Sequence, residues 1–401
     1  MVSNKTLPEP EPTLRERLIS LDSMAAEDPE AIRVVRSPAR VNLIGEHTDY
    51  NDGLVLPAAI DLEIQIALVP TDDDRVELTL ASTGERGILD LRDLGTKRGT
   101  WLDYIAGTAW ALREANIPIS GFRGILESSI PSGAGLSSSA ALELAAAWAL
   151  TRGEAPPLEP MQLALTAQRA ENEYVGVMCG LMDQFAVTLG QTGSALLLDC
   201  RSLDWHTVPI PEEVEIVVCH SGSPRRLEAS AYNARRAECQ RAVVAIQIRE
   251  GGVASLRDVD LPMLALHEAE IDEVAYARAL HVVTENARVV AVESALRAGD
   301  FRALGALFAA SHASLRDRFE VSSPALDALV EIAVDTPGVV AARLTGAGFG
   351  GCTVNLVERG RTEELRSKVE RDYGRRTGLT ARVFVVDAAN GAGSVQSNGA
   401  A

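Results

Sequence analysis

The stretch IPSGAGLSSSAALELAAAW, Ile130–Trp148, decides how the rest of this chain is read. It follows a strand-like GFRGILESS and runs into ALELAAAWAL, a helix of strong formers, so glycines and serines occupy a strand-to-helix junction. Backbone N–H groups at a helix N-terminus, with the positive end of the helix dipole behind them, make an anion site. Ser132, Gly133, Ala134, Gly135, Leu136, Ser137, Ser138 and Ser139 are therefore the candidate phosphate loop. A turn followed by a helix cap is the plainer reading, and it uses the same residue types. Two familiar motifs fail. No lysine stands where G-x-x-x-x-G-K-[ST] needs one, and Gly135-Leu136-Ser137-Ser138-Ser139 lacks the second glycine of G-x-S-x-G.

Upstream, ARVNLIGEHTDYNDG, Ala39–Gly53, packs Arg40, Glu46, His47, Asp49 and several amides into one run that leaves an apolar strand. So many directional groups suit a ligand with hydroxyls on several faces, because each buried hydroxyl needs its own partner. A surface loop is the alternative for any one of these residues. Downstream, LTGAGFGGC matches G-x-G-x-x-G at Gly346, Gly348 and Gly351. The strand-like CTVNLV follows where a dinucleotide fold requires a helix, so a nicotinamide-dependent dehydrogenase is disfavoured.

The composition narrows the ligand classes. With 401 residues, 46% of them apolar, the chain has material for two sizeable lobes. A net charge of −18 and no local basic patch argue against nucleic-acid or membrane partners. Cys179, Cys200, Cys219, Cys239 and Cys352 are widely spaced and odd in number, which predicts reduced thiols. His206, His220, His267, His281 and His312 show no metal-ligand spacing and read as structural or exposed. MVSNKTLPEPEPT lacks the layout of a signal peptide, and no apolar run reaches the length of a membrane span. Residues 1–12 and 388–401 are small, polar or proline-rich and are expected to be disordered tails. LEIQIALV and RVELTLA alternate as a hairpin or sheet, and RRLEASAYNARRAECQRAVVAIQIRE reads as a long helix. The shift from strand-rich to helix-rich sequence sets the expected lobes at 13–205 and 206–387.

Taken together, SPARVNLIGEHTDYNDGLVLP, PSGAGLSSSA, CGLMDQFAV and RLTGAGFGGC, in this order, resemble the GHMP kinases. The first resembles the signature of the family's galactokinase branch almost position for position. One departure is Ala39, where the family often has glycine; it adds a methyl beside Arg40 and removes no chemical group. The resemblance implies an α+β, two-lobed GHMP kinase fold of mixed sheets with helices, and an active site in the cleft between the lobes. It implies ATP-dependent phosphorylation of D-galactose at the anomeric hydroxyl. Asp183 would accept that hydroxyl's proton, while Arg40 would stabilise the transferring phosphoryl group and hold Asp183 as its anion.

By the same resemblance Glu46 and His47 hold the sugar's far hydroxyls, and Asp49 takes those that separate galactose from glucose. The backbone of Gly180 and the side chain of Tyr232 finish the pocket. Ser139 and Glu171 match the family's magnesium-contact positions, although Glu171, with Arg169 and Glu173 beside it, also fits a solvated helix face. Trp101 and Tyr104, one turn apart, line the adenine pocket or, in a chain with 4% aromatics, belong to the core. The expected ligands are D-galactose and MgATP, and the expected protein is a cytoplasmic monomer. Two rival readings use the same residues: a kinase for another sugar such as N-acetylgalactosamine, galacturonate or arabinose, and a galactose- and ATP-binding sensor without turnover.

Overall fold

The computed structural model describes residues 12–223 and 228–395. In chain order the strands are β1 (Arg33–Asn42), β2 (Leu54–Val55), β3 (Pro57–Pro70), β4 (Arg75–Leu80), β5 (Arg86–Asp90), β6 (Phe122–Ser128) and β7 (Ser194–Asp199). They continue with β8 (Trp205–Pro209), β9 (Val214–His220), β10 (Val339–Thr345), β11 (Cys352–Glu358), β12 (Arg382–Val386) and β13 (Gly393–Ser394). The helices begin with α1 (Leu14–Leu21), α2 (Ser23–Glu27), α3 (Leu102–Glu114), α4 (Ser138–Leu150), α5 (Pro160–Arg169) and α6 (Met182–Leu189). The carboxy-terminal half adds α7 (Glu228–Gln247), α8 (Leu261–Leu266), α9 (Glu273–Ala298), α10 (Phe301–Asp317), α11 (Pro324–Val334) and α12 (Thr362–Thr377).

Three sheets organise these elements: one in the order β13-β1-β3-β6-β4-β5, one β10-β11-β9-β12, and a short β2-β7-β8. The first is mixed, because β4 runs parallel to β6 while its other neighbours are antiparallel. LEIQIALV and RVELTLA do lie in one sheet, but they form no hairpin: β6 sits between β3 and β4. Helix α4 packs its alanines and leucines against β1 and β3, with most of its residues buried, which explains its almost continuous apolar sequence. The core is largely one cluster that joins α3, α4 and the first sheet to residues of α9, α10 and β11.

Two expectations are corrected. Residues 388–395, assigned to a tail, are packed: Ala388 bridges Ile60, the Gly391 and Ala392 N–H groups donate to Gly190 and Val187, and β13 pairs with β1. The small residues that suggested disorder are what allow this approach, since a Cβ on Gly391 would lie 2.1 Å from the Thr188 carbonyl oxygen. The remainder of that segment, and residues 1–11 of the other expected tail, lie outside the described residues, as does the start of the long helix at 225–227. The expected boundary at 205/206 falls within β8, which pairs with β7. Among the described residues no cysteine is joined in a disulfide, and no helix is long and apolar enough to cross a membrane.

β1 carries a register shift between Pro38 and Ala39 where it pairs with β3. A bulge re-aims the residues after it, and Arg40 follows directly. Beyond the short β13, the edge of β1 is taken over by the glycine/serine loop, whose Leu136 carbonyl accepts the Arg40 N–H at 3.2 Å. The loop is thereby fixed against the strand that supplies the arginine.

Candidate active site

A cavity of about 440 Å³ opens where these loops meet. Its walls include Arg40, Glu46, His47 and Asp49 from β1 and the loop after it, and Gly133, Gly135, Ser137, Ser138 and Ser139 from the loop before α4. Tyr104, Glu171, Gly180, Asp183, Tyr232, Gly346 and Ala347 complete it, so residues far apart in sequence converge as expected. Four expected residues do not line it. Ala134 and Leu136 turn their side chains into the core, Ser132 is exposed outside the cavity, and Trp101 packs over Gly87 with its indole N–H donating to Glu85. Trp101 thus belongs to the packing of β5 against α3, whereas Tyr104, one turn on, reaches the cavity.

At the centre, Asp183 sits in the first turn of α6, where unpaired N–H groups favour a carboxylate. Its Oδ1 accepts from Arg40 Nε at 2.7 Å and lies 2.7 Å from the other guanidinium nitrogen Nη2, while Ser137 donates its hydroxyl to Oδ2. Arg40 Nη1 donates to the Gly135 carbonyl at 2.7 Å. The arginine is nearly buried, so the pair is a fixed, charge-assisted contact.

The run Glu46 to Tyr50 forms the opposite wall. Glu46 pairs with Arg343 of β10, which is fully buried, and its other oxygen accepts the Gly346 N–H at 3.1 Å. Burial pushes the Glu46 carboxyl upward and the Arg343 charge opposes it. His47 meets the Tyr50 hydroxyl through Nδ1 at 2.9 Å and the Ala347 carbonyl through Nε2 at 3.2 Å. A carbonyl only accepts, so Nε2 carries the proton and Nδ1 takes the tyrosine's. Burial, with His281 nearby, lowers His47 to about 3, and the ring is neutral. Its nitrogens are therefore already engaged, and its face stacks toward Phe319 and Tyr232.

Asp49 shows why position 180 is a glycine: a Cβ there would lie 1.9 Å from Asp49 Oδ2. Burial, and then the nearby Asp183 charge, raise Asp49 to about 6. The Tyr232 hydroxyl is also raised, first by burial and then by Asp49, with the Gly180 backbone as its hydrogen-bonding partner. Gly346 plays a similar close-approach role, because its φ is +80° and a Cβ would meet the Gly135 carbonyl at 2.9 Å. The glycine/serine loop and the run LTGAGFGGC therefore lie against each other.

Glu171 is buried, not solvated as a charged helix face would be; it lies on a π-helical turn at Ala170–Val175, a feature frequent at functional sites. Gln184 Nε2 donates to it at 2.6 Å and to Glu143 at 3.0 Å, and the Ser139 hydroxyl lies beside it. Burial and the neighbouring acids raise both Glu171 and Glu143, and one Glu143 oxygen is buried without a partner. Glu143, Gln184 and Arg343 were missed from sequence. Two carried a signal, a lone acid in an all-apolar helix and a lone arginine in the apolar strand VVAARLT.

Residues 24–70 match the galactokinase galactose-binding signature, residues 103–191 the GHMP kinases N terminal domain, and residues 292–375 the GHMP kinases C terminal family. The galactokinase of Roseiflexus sp. (strain RS-1) is 46% identical over 91% of this chain and 93% of its own length. The chain belongs to the galactokinase branch of the GHMP kinases. The galactokinase of Chloroflexus aurantiacus is 42% identical over 91% of this chain and 94% of its own. Among solved structures, Lactococcus lactis galactokinase complexed with galactose superposes with a TM-score of 0.88 at 35% identity, covering 94% of this chain and all of that one. Methanococcus jannaschii mevalonate kinase, at 21% identity and a TM-score of 0.62 over 89% of this chain and 98% of its own, shares the fold. Membership of this family makes the chain a kinase. The strand that follows Gly351 excludes the dehydrogenase reading.

Proposed function

We propose that the chain transfers the γ-phosphoryl group of ATP to the anomeric oxygen of D-galactose, releasing galactose 1-phosphate and ADP. The observation that carries this reading is the Arg40–Asp183 pair, held between the glycine/serine loop on one side and the polyhydroxyl-matching run Glu46–Asp49 on the other. In this reading Asp183 takes the proton of the anomeric hydroxyl as its oxygen bonds to phosphorus, and Arg40 neutralises charge that develops on the phosphoryl oxygens. Glu46 and Asp49 accept hydrogen bonds from the sugar, Gly180 lets it approach the backbone, and Tyr232 closes the pocket. His47, its ring nitrogens engaged, holds the loop in shape against Ala347.

Gly133, Gly135, Ser138 and Ser139 cradle the phosphates at the N-terminus of α4, with Tyr104 beside them. The family implies Mg²⁺, and the donor set fits it: Ser139 and Glu171 offer hard oxygen ligands side by side, with the Glu143 and Asp183 carboxyls near. Among the described residues no group of three or more acidic, histidine or cysteine side chains is placed to hold a metal ion by itself. Ser139 and Glu171 would hold the ion, which would supply positive charge against the phosphates. The cytoplasm and a monomeric state remain part of this proposal.

The test is ADP release with magnesium and ATP across D-galactose, D-glucose, N-acetylgalactosamine, galacturonate and L-arabinose. Turnover concentrated on galactose supports the assignment. Equal rates with glucose, or binding of galactose and ATP without turnover, would overturn it.

A further inference from the structure

Ser137 is an anomaly. It is the residue that precedes α4, yet its side chain makes no capping bond to the first turn, and its backbone is left-handed at φ 60°, ψ 46°. A helix N-cap serine ordinarily sits in the extended region and accepts from a first-turn N–H, while left-handed backbone is unfavourable for any residue with a Cβ and free of that penalty for glycine. Position 137 forgoes both gains. A strained, buried residue that keeps its hydroxyl invites a functional reading.

The hydroxyl donates to Asp183 Oδ2. Asp183 Oδ1 is held by Arg40, whose Nη1 in turn holds the Gly135 carbonyl at 2.7 Å and whose backbone N–H is bonded to Leu136 at 3.2 Å. Three consecutive loop residues therefore grip the arginine–aspartate pair, and among the described residues Ser137 is the hydrogen-bond donor to the oxygen that faces away from the arginine.

We infer that Ser137 is a positioning residue for phosphoryl transfer: its hydroxyl sets the rotation of the Asp183 carboxylate and ties that orientation to the glycine/serine loop. Oδ2 has two lone pairs, so the serine occupies one and the other is aimed at the entering sugar hydroxyl. The proton that leaves the anomeric oxygen arrives at an acceptor already in line, which is the geometry that positioning catalysis requires. This inference rests on the assignment of Asp183 as the proton acceptor.

The test compares Ser137→Ala and Ser137→Gly with the unaltered chain, reading kcat, the galactose and ATP KM values, ATP affinity by calorimetry, and the thermal midpoint. Loss of a hydrogen bond to a charged group lowers kcat by about 10–100-fold in both variants. ATP affinity stays within about twofold, and Ser137→Gly melts above Ser137→Ala because glycine accepts the left-handed backbone. A role in loop shape alone predicts instead that Ser137→Gly retains full kcat, and that result overturns the inference. So does a loss of ATP affinity with kcat unchanged, which makes Ser137 only a nucleotide contact. Asp183→Asn separates the two layers: full turnover there overturns the acceptor assignment, whereas an inactive Asp183→Asn beside normal Ser137 variants overturns the Ser137 inference alone.

Discussion

Replacing Asp49 by asparagine is expected to stabilise the protein while impairing it. The carboxyl is driven from an ordinary 3.8 to about 6 in the folded chain, first by burial and then by the Asp183 charge. A shift of about two units corresponds to ~3 kcal/mol of unfavourable charge at neutral pH. Asp49 lines a cavity open to solvent, so screening reduces this to about 2 kcal/mol. The folded state binds the proton more tightly than the unfolded state, so this cost is absent below pH 3.8, grows as the pH rises, and is complete above pH 6. Urea unfolding without ligands should show Asp49→Asn more stable than the unaltered chain by about 2 kcal/mol at pH 7.5 and nearly equal to it at pH 4. Galactose KM should rise by about 10–100-fold, since an amide cannot replace the carboxylate's acceptors. Equal stability at pH 7.5 with an unchanged pH slope would refute the reasoning, because the carboxylate would then carry no buried-charge cost.

Three further outcomes are expected. Asp183→Ala should lower turnover by about 10²–10⁴-fold and leave ATP affinity by calorimetry within about twofold, because the proposed function gives Asp183 a part with the sugar and none with the nucleotide; retained activity contradicts that role. Gly180→Ala puts a methyl 1.9 Å from Asp49 Oδ2 and should raise galactose KM by about tenfold or more with the ATP KM held, whereas parallel rises would place the clash elsewhere. Arg343→Met strands the buried Glu46 carboxylate and should cost about 3–5 kcal/mol in denaturant unfolding. Adding Glu46→Gln should recover part of that loss, and full additivity would show that the two residues are not coupled.

The parts of the site that sequence revealed are those in which one run carries both chemistry and local structure. ARVNLIGEHTDYNDG and PSGAGLSSSA are contiguous, and their strand-to-loop and loop-to-helix transitions follow from periodicity and glycine placement. What stayed hidden depends on residues that meet only after folding. Arg343 and Glu285 lie about 300 and 240 residues from the loop they hold, where Arg343 Nη1 donates to Leu43 and Glu285 accepts the Gly45 N–H. The lone arginine in VVAARLT marks one partner, but no local pattern says which residues it meets. Trp101 and Tyr104 could not be told apart between pocket and core because one helical turn separates a residue that faces β5 from one that faces the cavity. The 388–395 segment was misjudged because small residues signify disorder in composition but close packing once an edge strand and α6 are present. The left-handed backbone at Ser137, hidden within a string of three serines, is visible only in three dimensions.

The most direct test of the central claim is the position of the phosphate in the product formed from D-galactose and MgATP, read by ¹H–³¹P NMR. The account predicts coupling of phosphorus to the anomeric proton, one ADP per sugar phosphate, and loss of the signal in Asp183→Ala. Phosphate on another hydroxyl, or ADP released without any sugar phosphate, would contradict it.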